Sequence, residues 1–237
     1  MKLVFTLPGN WTGAWILLRL LEVVESPWRA TELGFANLET GESAMLAMAR
    51  AIPEVSRVFA DGTDPARPPM DDDLIEQIAQ HKAIVQVTGD LEADRPLQSL
   101  RTVLRATNAI VDGGALAVQC GNSGLVHSAD AFQALMVAVE AAGDDEDALR
   151  RALFQVVVRF MLGDDGGIAG DEGRLPAMTL GMHTLGRPDV MLSEVLSADR
   201  AVGKLERIAL GPVPASVPRD SRSLPEIVRN PYGLVQA

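Results

Sequence analysis

The sequence is poor in the side chains that build covalent cross-links and metal centres. Its 237 residues include one cysteine and three histidines, which excludes an intramolecular disulfide and any site with several cysteine ligands. Aromatic side chains account for only 4% of the residues, so the core must be largely aliphatic. No apolar run is long enough for a membrane span, because Pro8, Gly9 and Arg19 interrupt the N-terminal segment. We therefore expect a cytoplasmic protein that does not enter a membrane.

Basic residues are too few and too dispersed for a surface that binds polyanions. Lys and Arg number 21 against 32 Asp and Glu, which gives a formal net charge of −11. Nucleic acids and anionic membrane surfaces are bound through clusters of Lys and Arg, and the sequence contains no such run. A solvated acidic surface is the simplest explanation of the charge. We expect a protein or a small molecule as the partner, and no nucleic acid.

Apolar patterning in the first 92 residues predicts the order strand, helix, strand, strand, helix, strand. The first strand covers residues 2–9, and Thr12 caps a helix that runs to about Glu25. That helix is apolar on most sides, so we expect it to be buried. Residues 31–52 are predicted to form a hairpin around the turn sequence ETGES. This order is typical of a ferredoxin-like βαββαβ unit.

Further helices and strands follow in the second half of the chain. Pro96 is predicted to begin a helix and Ser128 to cap another, while ALAVQC (115–120) and FQVVVRFML (154–162) are predicted strands.

Together these elements predict an α+β fold with a mostly antiparallel sheet. We expect a single domain over residues 1–210, with 1–92 and 93–210 as its sub-units if it divides. The tail 211–237 is rich in proline and is predicted to run extended over the surface.

The segment LAVQCGNSGLVH (116–127) holds the main candidates for catalysis. Ser123 does not fit a nucleophile elbow, because Leu125 stands where the second glycine is required. Cys120 follows an apolar strand, where a cysteine is most often a small buried side chain. Two interpretations stay open: a strand that turns into a helix, or a thiol nucleophile assisted by His127 or His183.

Metal and phosphate motifs are absent. His81, His127 and His183 do not have the spacing of a known metal motif. The acidic loop 163–173 fails the EF-hand pattern, since Gly166 and Ile168 stand at ligand positions. There is no glycine-rich phosphate loop. We therefore expect neither a metal nor a cofactor.

Three segments carry a family resemblance. HKAIVQVTGD (81–90), ALAVQCGNSGLVHSADAF (115–132) and MTLGMHTLGRPDVML (178–192) resemble the bacterial domain of unknown function 4261 family, over about residues 43–195. The matching positions are His81, Ala83, Gly124, Thr179 to Gly181, Gly186 and Asp189.

The chain departs from the family pattern at three of its positions. Ile84 replaces a usual second histidine, Leu185 replaces an aromatic residue, and Asp189 replaces a glutamate. The missing histidine argues against a paired-histidine metal or acid–base role. The resemblance implies no particular activity.

These observations favour a non-enzymatic binding or regulatory protein. His81, Ser123 and Asp189 are the candidate binding residues. The alternative is a cryptic hydrolase or transferase that uses Cys120 with a histidine. Uncovered strand edges would also allow self-association.

Overall fold

The computed structural model describes residues 1–31, 34–62, 64–162, 177–192 and 198–211, together with the backbone of 234–236. Within these residues the fold is α+β, as predicted, with a seven-stranded sheet, a four-stranded sheet and packed helices. The loop 163–173 and most of the tail 211–237 lie outside the described residues. None of the helices in the described part of the chain is long and apolar enough to cross a membrane.

The elements follow one another in this order: β1 (Lys2–Gly9), α1 (Ala14–Val23), β2 (Trp28–Thr31), β3 (Gly34–Asn37), β4 (Ser43–Arg50), α2 (Val55–Asp61), α3 (Asp72–Ala79), β5 (Ala83–Asp90), α4 (Pro96–Asp112), β6 (Ala117–Cys120), β7 (Leu125–Ser128), α5 (Ala129–Ala141), α6 (Glu146–Val157), β8 (Arg159–Leu162), β9 (Ala177–Leu180), a 3-10 helix (Met182–Leu185), β10 (Asp189–Leu192), α7 (Ala198–Leu210) and β11 (Leu234–Gln236).

The large sheet is antiparallel and has the strand order β2-β3-β4-β5-β1-β6-β7. A ferredoxin-like unit would place β1 between β4 and β5, whereas here β5 lies between β4 and β1. The connection from β4 to β5 contains α2 and α3, which form an apolar cluster with Ala117 of β6. Strand β5 then pairs with β4 on one side and with β1 on the other. The α+β class is confirmed, and the predicted ferredoxin-like pairing is not the one observed.

Helix α4 forms the centre of the main core, where it contacts β5, β4 and β1. Pro96 occupies its first turn, as the sequence predicted. Leu100, Leu104 and Ile110 are fully buried on its inner face. At the other end, Trp11 Nε1 donates a hydrogen bond to the Gly113 carbonyl at 2.8 Å. The core is mainly aliphatic, as the composition requires.

The prediction that α1 is buried is wrong. Leu17 and Leu21 are buried, but Trp15 is 72% exposed and Val23 is 74% exposed. Helix α1 contacts α4 and β2, and other apolar residues of the helix face solvent. A high apolar content therefore does not by itself predict that a helix is buried. The predicted cap is also wrong, because the helix begins at Ala14 and no side chain caps it.

The predicted strand at 154–162 is wrong in its first half. Helix α6 starts after Asp145, whose carboxylate accepts from the backbone N–H groups of Asp147 and Ala148, and it continues through Val157. Leu153, Phe154 and Val157 are fully buried. Tertiary packing therefore outweighs the strand preference of the β-branched residues here.

The turn GNSG joins two strands rather than a strand and a helix. Cys120 pairs with Leu125 at the end of the β6–β7 hairpin, and Ser128 pairs with Ala117. Ser128 also caps α5, since its Oγ accepts from Ala131 N at 3.2 Å. The predicted cap is thus confirmed, and strand β7 is an element that the sequence did not predict.

Candidate functional site

The strongest candidate site is a cavity of about 580 Å³ beside the edge strand β7. One wall comes from the connection between α2 and α3, and the opposite wall comes from β7 and the first turns of α5. The walls are mainly apolar, and Asp64, Arg67 and His127 provide polar groups between them. An apolar cavity with a few convergent polar groups is the usual form of a small-molecule site.

A second cavity, of about 620 Å³, lies between Trp28, α4 and α5. Its charged groups already bind one another: Arg105 donates to both carboxylate oxygens of Glu140 at 2.8 and 2.6 Å and to Glu42 at 2.9 Å. These contacts raise the pKa of Arg105. The charge of Arg105 in the second cavity is therefore already matched by carboxylates of the protein.

Asp64 anchors the proline-rich connection against the second sheet. Its side chain is 1% exposed, and its two oxygens accept from Ala66 N at 2.8 Å and from Phe160 N at 3.2 Å. Pro65, next in sequence, has no N–H to donate, so this stretch cannot form a ladder. The carboxylate instead satisfies a backbone donor of the edge strand β8.

Arg67 binds the C-terminal end of α6. Its Nη2 donates to the carbonyls of Gln155 at 2.6 Å and Val158 at 3.5 Å, and its Nε lies 3.4 Å from Asp64 Oδ2. The last carbonyls of a helix lack partners within the helix and carry its negative dipole end, which favours a cation there. Burial lowers the pKa of Arg67 and the Asp64 carboxylate opposes that shift, and an arginine stays charged in either case.

His127 binds the same helix end. Its Nε2 lies 2.8 Å from the Val156 carbonyl oxygen, and a carbonyl only accepts, so Nε2 carries the proton. Burial, followed by the nearby Arg67 charge, lowers the pKa of His127 to about 4, against the opposing effect of the Val156 hydrogen bond. The ring is therefore neutral at pH 7, and its Nδ1 is a hydrogen-bond acceptor.

Cys120 does not have the environment of an activated thiol. It is 1% exposed, its contacts are with the turn residues Asn122 and Ser123, and burial raises its pKa. A nucleophilic cysteine needs the opposite shift and access to solvent. Within the described residues no histidine is hydrogen-bonded to this thiol, and the Nε2 of His127 is bound to Val156.

His81 and Ser123 are occupied by the backbone. His81 donates from Nδ1 to the Ile78 carbonyl at 2.6 Å and accepts at Nε2 from Ile52 N at 3.2 Å. Ser123 Oγ accepts from Leu125 N at 3.3 Å within its own turn. Both side chains are buried, and their contacts stabilise the ends of local elements.

Asp189 holds the start of the 3-10 helix. Its Oδ1 accepts from Met182 N at 2.9 Å and from Thr179 Oγ1 at 3.3 Å. His183 lies beside it, with Nδ1 4.0 Å from Asp189 Oδ2. Of the candidates, His127 lines the cavity, whereas Cys120, His81, Ser123, His183 and Asp189 do not. The described residues include no group of three or more His, Cys, Asp or Glu that could hold a metal.

Backbone conformation explains why glycine occupies three of the positions that match the family resemblance. Gly124, Gly181 and Gly186 have φ values of 73°, 102° and 71°, a region that other residues rarely adopt. A Cβ on Gly181 would also lie 2.6 Å from the Val157 carbonyl oxygen and 2.9 Å from Ser123 Cβ. The turn 121–124 and the loop before the 3-10 helix therefore pack closely together.

Sequence reasoning did not single out Asp64 and Arg67, which lie in the proline-rich connection between α2 and α3. Asp64 binds Phe160, 96 residues further along the chain, and Arg67 binds Gln155, 88 residues away. No local pattern encodes such partners. The prolines of this connection indicate only that it cannot form a ladder.

No family model matches the chain, and no similar curated protein or solved structure was found. The resemblance to the domain of unknown function 4261 family therefore stays a prediction from three segments.

Proposed function

We propose that the chain is a cytoplasmic, non-enzymatic binding protein, and that it holds a small and largely apolar molecule in the cavity beside β7. The observation that carries this proposal is the cavity itself, with its apolar walls and its few polar groups. Asp64, Arg67 and His127 are fixed by hydrogen bonds to backbone atoms. A site fixed in this way does not have to be ordered when the ligand binds.

The chemistry of the cavity supports binding rather than catalysis. A general base works best with a pKa near the working pH, whereas the pKa of His127 is about 4. Asp64 uses both carboxylate oxygens for backbone N–H groups. The single cysteine, free and buried, supports a reducing compartment such as the cytoplasm.

The test is a titration with linear methyl esters of increasing chain length, followed by amide NMR. Each additional buried methylene contributes about 0.8 kcal/mol, so the affinity should increase by roughly fourfold per methylene until the cavity is filled. The shifted resonances should come from residues on both cavity walls, including Leu74, Val126 and Leu135.

A matched pair of variants on α5 locates the site. Ala134 lines the cavity, and Ala134→Trp should abolish ester binding because the indole fills the space. Ala138 is exposed one turn further along the same helix and does not line it, so Ala138→Trp should bind the ester like the wild type. Non-saturable shifts, or equal loss in both variants, would refute the proposal.

A further inference from the structure

Resting on this proposed function, we infer that the ligand of the cavity carries an uncharged head group that both donates and accepts a hydrogen bond, such as a primary amide, on an aliphatic body. Two side chains that line the cavity, Arg67 and His127, and the balance of charge around them support this inference.

His127 provides the acceptor. Its Nε2 is committed as a donor to Val156 at 2.8 Å, which leaves the lone pair of Nδ1 as the other polar group of the neutral ring. Within the part of the chain that the structure describes, no donor is hydrogen-bonded to Nδ1. A ligand N–H or O–H is the group that would satisfy it.

Arg67 provides the donor. Its Nη2 is occupied by the Gln155 and Val158 carbonyls, and its Nε faces Asp64 at 3.4 Å. Its Nη1 donates to none of the described residues. Arg67 and His127 line the same cavity and bind the adjacent carbonyls of Gln155 and Val156, so we expect a single head group to contact both.

The charge around the cavity favours a neutral head group. The Arg67 cation is already matched by the buried Asp64 carboxylate and by the negative end of α6. A ligand carboxylate would lose its hydration and would be repelled by the lone pair of His127 Nδ1. It would gain little from Arg67 in return, because the charge of Arg67 is already matched. An ammonium group would be repelled by Arg67. The carboxylate of Asp71 at the cavity rim would offset little of this repulsion, because it is exposed to solvent and already accepts a hydrogen bond from Asp73 N at 2.8 Å.

The experiment compares four ligands with similar aliphatic bodies at pH 7: hexanamide, hexanoate, hexylammonium and methyl pentanoate. We expect hexanamide to bind at least tenfold more tightly than each of the other three. The methyl ester is the critical comparison, because it accepts a hydrogen bond and cannot donate one. Hexanoate or the ester binding as tightly as the amide would overturn the inference and leave the proposed function standing. If neither the amide nor any ester binds, the proposed function itself fails.

A readout on the wild-type protein does not depend on the folding of a variant. With ¹⁵N-labelled histidine, saturating hexanamide should shift the Nδ1 resonance of His127, while His81 and His183, which do not line the cavity, serve as internal references. His127→Phe should weaken hexanamide binding about tenfold and leave ester binding within twofold. An unchanged Nδ1 resonance at saturation would refute the assigned contact.

Discussion

Asp64→Ala should be one of the most destabilising polar substitutions in the protein. The change removes the acceptor for Ala66 N and Phe160 N and the anionic partner of Arg67. Removing one partner of a buried ion pair costs about 3–5 kcal/mol, because the other charge stays buried without compensation. The Arg67 side chain is 18% exposed and water can reach part of it, so we expect the lower end, about 3 kcal/mol.

Urea unfolding followed by circular dichroism measures this free energy. The control is Asp71→Ala, which removes an exposed carboxylate that caps α3 and should cost about 1 kcal/mol. Equal destabilisation by the two substitutions would contradict the assignment of Asp64 as a buried anchor.

A double-mutant cycle tests the cause. In the Asp64→Ala background, Arg67→Met removes the uncompensated cation, so it should cost at least about 1 kcal/mol less than the same change in the wild type. Strictly additive effects would refute the coupling between the two side chains.

Three further outcomes follow from the described contacts. Gly181→Ala should lower the free energy of unfolding by about 3 kcal/mol, through left-handed backbone strain and overpacking. At Gly41, with φ 74° and nothing within 4 Å, Gly41→Ala should cost about 1 kcal/mol from strain alone. Urea midpoints compare the two variants, and equal costs would contradict the predicted clash at Gly181. Cys120 should react with iodoacetamide only after unfolding, because it is 1% exposed, and rapid labelling of the native protein would favour the cryptic enzyme. Folding lowers the pKa of His127 from 6.5 to about 4, because the buried ring is favoured in its neutral form. The resulting contribution to stability is complete above pH 6.5 and is lost as the pH falls towards 4. The loss is about 3 kcal/mol, and the stability difference between wild type and His127→Phe should change by this amount over that interval; a constant difference would contradict it.

The contacts of the candidate residues show why residue type alone does not identify a functional site. Histidine, cysteine and buried aspartate are the residues that catalysis uses, but they also satisfy backbone groups at the ends of helices and turns. His81 closes the end of α3, Asp189 starts the 3-10 helix and His127 binds the end of α6. A residue type does not distinguish these uses, because the distinction depends on the neighbouring atoms.

Local signals predicted much of the secondary structure. Pro96 begins α4, Ser128 caps α5, and ETGES turns the β3–β4 hairpin. In each case the deciding interaction lies within a few residues of the signal, such as the 3.2 Å hydrogen bond from Ala131 N to Ser128 Oγ. Composition likewise determined the aliphatic core and the absence of a disulfide.

Tertiary structure alone decided the strand order, the length of α6, the exposure of α1 and the cavity. Strand β5 pairs with both β4 and β1, a choice among strands that no local pattern makes, and α6 extends to Val157 because its β-branched residues are buried. The polar groups of the cavity come from a proline-rich connection and an edge strand, and Arg67 and His127 bind the end of α6. Their hydrogen bonds join residues as far apart as Asp64 and Phe160. The sequence provided these residues, and folding brought them together because buried polar groups must find partners wherever the chain places them.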